Sequence, residues 1–141
     1  MTPIVTATNT ALPPISAGPE PGGIAITPDG ATAYAANYGM DTADTVTPIT
    51  TATNTALPAV TVGASPFCVA ITPNGKTVYV ANFHGTMGGG IGDTVTPIST
   101  VTSKAGTPIT VGRGPLYIAI TPAHAEAVPQ EAPAGCEGVN R

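Results

Sequence analysis

The 141-residue sequence has no tryptophan, two cysteines, two histidines and 4% aromatic residues. With so few rings, its core has to be assembled from valine, isoleucine, alanine and leucine, which bury less area per residue than aromatics do. Charge is scarce as well. Asp, Glu, Lys and Arg make up 9% of the chain, against about a quarter in an average soluble domain, so hydroxyls and amides must wet the surface. The four basic residues, Lys76, Lys104, Arg113 and Arg141, are dispersed, and the net charge is −4. That excludes a phosphate-tracking stripe, and no nucleic-acid partner is expected. Cys68 and Cys136 form neither a C-x-x-C pair nor a disulfide framework, and no N-x-S/T acceptor occurs. No apolar run approaches the roughly 18 residues of a transmembrane helix. The opening Met1-Thr2-Pro3-Ile4 lacks the basic start and apolar stretch of a signal peptide.

What is present is repetition. Ile26-Thr27-Pro28-Asp29-Gly30 returns as Ile71-Thr72-Pro73-Asn74-Gly75 and begins again at Ile120-Thr121-Pro122, at intervals of 45 and 49 residues. Thr-Pro-Ile starting at Thr2, Thr47 and Thr96 keeps the same intervals, and the eight residues from Thr6 recur unchanged from Thr51. Self-similarity at this period marks a repeat architecture. The 17 glycines and 16 prolines would suggest a disordered chain if they were aperiodic. Placed periodically, they read as turns.

Within a repeat, Gly23–Thr27 and Phe67–Thr72 are short apolar runs closed by Pro-Asp-Gly or Pro-Asn-Gly, a strand followed by a hairpin turn. Residues 31–37 and 76–82 form the second strand, and Thr45–Thr50 and Thr94–Ser99 the third. A turn at 52–55 leads into a fourth strand at 59–62. Four strands per repeat with no helical periodicity select the β-propeller blade. Pro48 and Pro97 lie inside the third strand, where a missing N–H predicts a local break. The four extra residues of the second repeat fall in a loop insertion at 83–93.

Tyr79-Val80-Ala81-Asn82 with Thr77-Val78 before it, the Ile-Thr-Pro-Asp/Asn-Gly turn and Thr-Ala-Thr-Asn-Thr resemble the YVTN-type β-propeller repeat. The resemblance covers residues 1–122. It implies surface-layer-like or other exported proteins whose repeats form seven-bladed rings, with the Ile-Thr-Pro strand innermost. The expected organisation is an all-β partial propeller of four-stranded antiparallel blades. Residues 1–21 supply the third and fourth strands of an incomplete blade, 22–63 and 64–112 are whole blades, and 113–122 is the first strand of another. After Pro122 the motif gives way to an irregular, acidic, proline-rich tail at 123–141, expected to be disordered. The chain reads as a truncated or frame-shifted piece of a longer propeller protein. Two whole blades do not close a ring, since closure takes about four to eight.

Candidate chemistry is sparse. His84 precedes the glycine-rich Gly85–Gly92 loop with no second histidine nearby and reads as an ordinary loop residue. Asp41, Asp44 and Asp93 fall in equivalent loops but match no calcium spacing. Gly88-Gly89-Gly90 lacks the Lys and Ser/Thr of a phosphate loop. Cys68 reads as a buried, inert strand residue, and Tyr34, Tyr79 and Tyr117 as packing between blades. No catalytic, cofactor-binding or metal-binding residue is assigned. The expected function is a non-enzymatic structural or protein-interaction module whose partner is another copy, through blade completion or edge pairing, or a different protein. The alternative is a fragment of a lactonase-, lyase- or quinoprotein-like propeller enzyme whose active site lies outside these residues.

Overall fold

Turn chemistry repeated once per blade organises the chain. The computed structural model describes residues 1–39, 44–83 and 92–122, and its regular elements are β-strands. Strands β1 (Ile4–Val5) and β2 (Thr10–Ala11) form a hairpin. A first full sheet contains β3 (Pro21–Ile26), β4 (Thr32–Asn37), β5 (Thr45–Thr50), β6 (Thr55–Ala56) and β7 (Val60–Thr61). A second contains β8 (Pro66–Ile71), β9 (Thr77–Asn82), β10 (Thr94–Ser99), β11 (Lys104–Ala105) and β12 (Ile109–Thr110). Each sheet is an antiparallel meander in chain order. Among the described residues no helix is long and apolar enough to cross a membrane.

The β3–β4 reversal is a four-residue loop. Thr27 N–H donates to the Thr32 carbonyl at 2.9 Å, and Gly30 N–H donates to the Thr27 carbonyl at 2.7 Å. Pro28 presets the first turn angle, and Gly30, at φ 73°, takes the left-handed conformation. Asp29 Oδ1 accepts from Thr27 Oγ1 at 2.6 Å and from Ala31 N–H at 2.9 Å. Asn74 repeats both bonds, to Thr72 at 2.7 Å and Lys76 at 3.0 Å, with Gly75 at φ 69°. Left-handed residues recur at two further repeat positions: Asn9, Asn54 and Ser103 in one turn, and Glu20, Ser65 and Gly114 ahead of each first strand. Asn, Ser and Gly suit that region; Glu20 is the atypical occupant.

The third strands are continuous, so the break expected at Pro48 and Pro97 falls elsewhere. Thr32↔Thr50 through Asn37↔Thr45 pair without a slip, and Tyr34 lies opposite Pro48. Pro48 offers its carbonyl to Leu57 N–H at 2.8 Å, so its missing N–H faces the fourth strand. That strand is the one interrupted: instead of a single run at 59–62 it is split into β6 and β7, which pair with β5 in registers one residue apart. Pro97 does the same to β11 and β12, with Gly106 N–H donating to its carbonyl at 2.8 Å. Proline thereby turns the outermost strand into a bulged pair of short ladders. Residues 113–122, expected as the first strand of a further blade, join no ladder among the described residues. The tail at 123–141 and most of the insertion at 83–93 also lie outside them.

Strand alternation sends successive side chains to opposite faces, and both faces of each sheet are apolar. Tyr34, Ala36, Val46 and Val60 of the first sheet pack against Val69, Val78, Val80 and Ile98 of the second, all buried. The opposite face of the first sheet, Ala33, Ala35 and Ile49, packs against Ala17, Met1 and Ile15 around the N-terminal hairpin. Fully burying a valine- or isoleucine-sized side chain contributes about 1.5–3 kcal/mol, so these layers dominate the stability.

The turn bonds to Asp29 hold its carboxyl below the ordinary value of 3.8, the Thr27 hydroxyl acting first and the Ala31 amide second. A depressed folded-state pKa contributes stability above the unfolded value, and this is lost as pH falls through the folded value. Asp29→Asn should keep the turn, as Asn74 does, and remove this dependence. We expect the stability difference between wild type and variant, from urea unfolding, to move against wild type between pH 6 and pH 2.5. A difference that stays constant over that range would refute the role assigned to the carboxylate.

Candidate functional site

Each whole blade contains one buried polar network. Asn37, at the end of β4, donates through Nδ2 to Thr45 Oγ1 and Thr47 Oγ1, both at 2.9 Å, and Thr47 donates to the Ala17 carbonyl at 2.5 Å. Asn82 repeats this with Thr94 at 3.0 Å and Thr96 at 2.8 Å. The asparagine and inner threonine of each set are buried. Asn37 Oδ1 and Asn82 Oδ1 are buried with no hydrogen-bond partner. Each carboxamide is pressed against a glycine: a Cβ at Gly18 would lie 2.5 Å from Asn37 Cγ, and one at Gly63 would lie 2.5 Å from Asn82 Nδ2. The amides cross-link the second and third strands at one end of the blade and hold the incoming first-strand connection close. Their arrangement is structural: two hydroxyls saturate the donor and no group is presented outward.

The residues weighed from sequence are not gathered into one site. Asp44 accepts Val62 N–H of its own blade on its carbonyl at 2.8 Å and Ser65 N–H, ahead of the next blade's first strand, on Oδ1 at 3.2 Å. Asp93, one repeat on, accepts Val111 N–H on its carbonyl at 2.6 Å. His84, Asp41 and Gly88–Gly90 lie outside the described residues. No group of three or more His, Cys, Asp or Glu able to hold a metal occurs among the described residues. Cys68 is buried on β8. Tyr34 is buried between the sheets, and that burial raises its phenol pKa. Tyr79 is half-buried. Tyr117 is 54% exposed, its ring edge-on to Phe67 at 6.3 Å. It differs from the packing expected of it because no blade follows it among the described residues.

The exposed apolar side chains mark the two ends. Ile4 is 63% exposed, whereas its repeat equivalents Ile49 and Ile98 are 2% and 0%. Ile109 is 47% exposed and its equivalent Val60 8%. Between the N-terminal hairpin and the first sheet lies an apolar cleft of about 250 Å³, lined among others by Met1, Ile15, Ile24, Ile26, Ala33 and Ile49. Shifted by one repeat, five of these positions are Val46, Val60, Val69, Val78 and Ile98 of the inter-sheet core. What the cleft lacks is a counterpart of Tyr34. Sequence reasoning missed both the cleft and the asparagine network. The cleft was recoverable by asking which repeat positions have no neighbouring blade.

Comparison with known proteins supports the fold. No family model and no curated protein matches the chain. Among solved structures it is similar to the hydrazine synthase of Kuenenia stuttgartiensis, with TM-score 0.70 and 25% identity over 79% of this chain and 30% of that one. A functionally unknown protein from Desulfotomaculum acetoxidans matches with TM-score 0.50 and 25% identity, over 81% of this chain and 34% of that one. The WD40 repeats of RRP9 match with TM-score 0.50 and 13% identity, over 67% and 27%. The chain thus spans about a third or less of the length of these structures. It is an all-β, open β-propeller segment built of antiparallel blades.

Glycine is required beneath an asparagine that cannot move. Gly63→Ala should therefore cost about 1–3 kcal/mol by overpacking against Asn82. Gly112, at the equivalent position one repeat later, has nothing among the described residues within 4 Å of where a Cβ would stand. Gly112→Ala should be neutral or stabilise by up to about 1 kcal/mol. Urea unfolding of both variants, followed by far-ultraviolet circular dichroism, checks the contrast, and equal effects would remove the constraint assigned to Asn82.

Proposed function

We propose that the chain is a non-catalytic β-propeller repeat segment, a structural and protein-interaction module belonging to a larger propeller. One observation carries this reading: the two whole blades place the same residue types in the same bonds. The asparagine–threonine network, the Thr-Pro-Asp/Asn-Gly turn and the apolar faces recur at repeat spacing. An active site usually breaks repeat symmetry with side chains set aside for chemistry, and the amide and hydroxyl donors described here are engaged in bonds within a blade or to the connection beside it. The likeness to WD40 repeats and the motifs resembling YVTN-type repeats support the same reading, the latter pointing to an exported or cell-surface setting.

A second reading, a piece of a propeller enzyme with its catalytic groups elsewhere, is favoured by the likeness to hydrazine synthase. Assaying the chain with chromogenic esters and lactones, with and without added divalent metal, separates the two. We expect wild type and His84→Ala both to remain at the uncatalysed rate. A wild-type rate well above background that His84→Ala abolishes would overturn the non-catalytic reading.

A further inference from the structure

Among the described residues two apolar faces have no partner sheet, and they are complementary, because they repeat the two halves of a contact that the chain makes once internally. In the inter-sheet core, the face bearing Tyr34, Val46 and Val60 meets the face bearing Val69, Val78 and Ile98. One repeat later the first face returns as Tyr79, Val95 and Ile109 on the second sheet, with Tyr79 and Val95 half-buried and Ile109 exposed. Two repeats earlier, the Ile98 position returns as Ile4, exposed on the N-terminal hairpin. The Val69 position returns as Ile118, in a segment whose burial already alternates. Ile118 and Ile120 are half-buried, whereas Leu116, Tyr117 and Ala119 are exposed.

We propose that two copies of this chain associate head to tail, the N-terminal hairpin of one seating on the open face of the second sheet of the other, with Tyr117 of the latter filling the former's apolar cleft. Internal repetition identifies the occupant: the surface that covers this kind of face within the chain is the chain's own repeat. The cleft beside Met1, Ile15 and Ile24 matches the inter-sheet core without its tyrosine. Residue 117 stands at the repeat position of Cys68 and Gly23, on the same side of the strand as Ala119, the equivalent of Ala25, which lies opposite Tyr34. A ring from the first strand thus supplies the volume that Tyr34 supplies from the second. Among the described residues no Asp, Glu, Lys or Arg lines the cleft, and the Met1 ammonium there donates to the Ile15 carbonyl at 3.0 Å.

This contact rests on the module reading above and names its partner. Gel filtration with light scattering on the full chain should give twice the single-chain mass. Ile4→Asp and Ile109→Asp, both at exposed positions, should each give folded monomers by circular dichroism. Mixed together, these two variants should recover a one-to-one pair, since one undamaged head then meets one undamaged tail. Tyr117→Ser should weaken the dimer at least about tenfold, and it replaces Ile109→Asp if that variant misfolds. A folded wild-type monomer, a dimer indifferent to these substitutions, or variants that fail to pair on mixing would overturn the contact. A monomer without catalytic activity would leave the module reading standing.

Discussion

Burial between successive sheets is the constraint on which the rest of this structure depends. A four-stranded sheet with apolar residues on both faces is not stable alone in water, and the two full sheets here each bury one of those faces against the other. Among the described residues that requirement is met at one full interface, around Tyr34 and Val80, and at one partial interface around Ala17 and Ala33. The small aliphatic composition follows from it. Alanines at 33, 35 and 36 allow close approach of neighbouring layers, and Tyr34 fills the space left between the two sheets.

The buried polar elements bond the strand ends to one another and to the connection beside them, leaving the Asn37 and Asn82 Oδ1 atoms as the groups without a partner. Asn37 and Asn82 are buried at the blade end and donate to paired threonines, and Gly18 and Gly63 admit them. Proline in the third strand works in the same economy of hydrogen bonds: its absent N–H points to the outermost strand, where a bulge already separates β6 from β7. Interior positions, strand ends and turns therefore make the same demands in each blade, which accounts for the near-identity of the repeats.

Much of the fold was legible in the residues. The 45- and 49-residue spacings located the blades, and Pro-Asp-Gly and Pro-Asn-Gly located the first hairpins because only a few residue types satisfy those backbone angles. The fourth strand was misjudged as one run. A proline shows that a hydrogen bond is missing but not which neighbour it would have joined, and that depends on strand order. The candidate site was less legible. His84 and the acidic residues drew notice for their chemistry, while the cleft is defined by aliphatic residues such as Ile15 and Ile24 that are indistinguishable in sequence from core.

By itself, the sequence determined the repeat unit, the strand-and-turn order within it and the apolar character of both faces, because these follow from local backbone preference and period-two alternation. Tertiary structure alone decided which of those faces is covered. Ile4 and Ile98 occupy the same repeat position, yet one is exposed and the other buried, because burial depends on having a neighbouring sheet, which no residue encodes locally. The same rule separates Gly63, locked beneath Asn82, from Gly112, which has open space beside it.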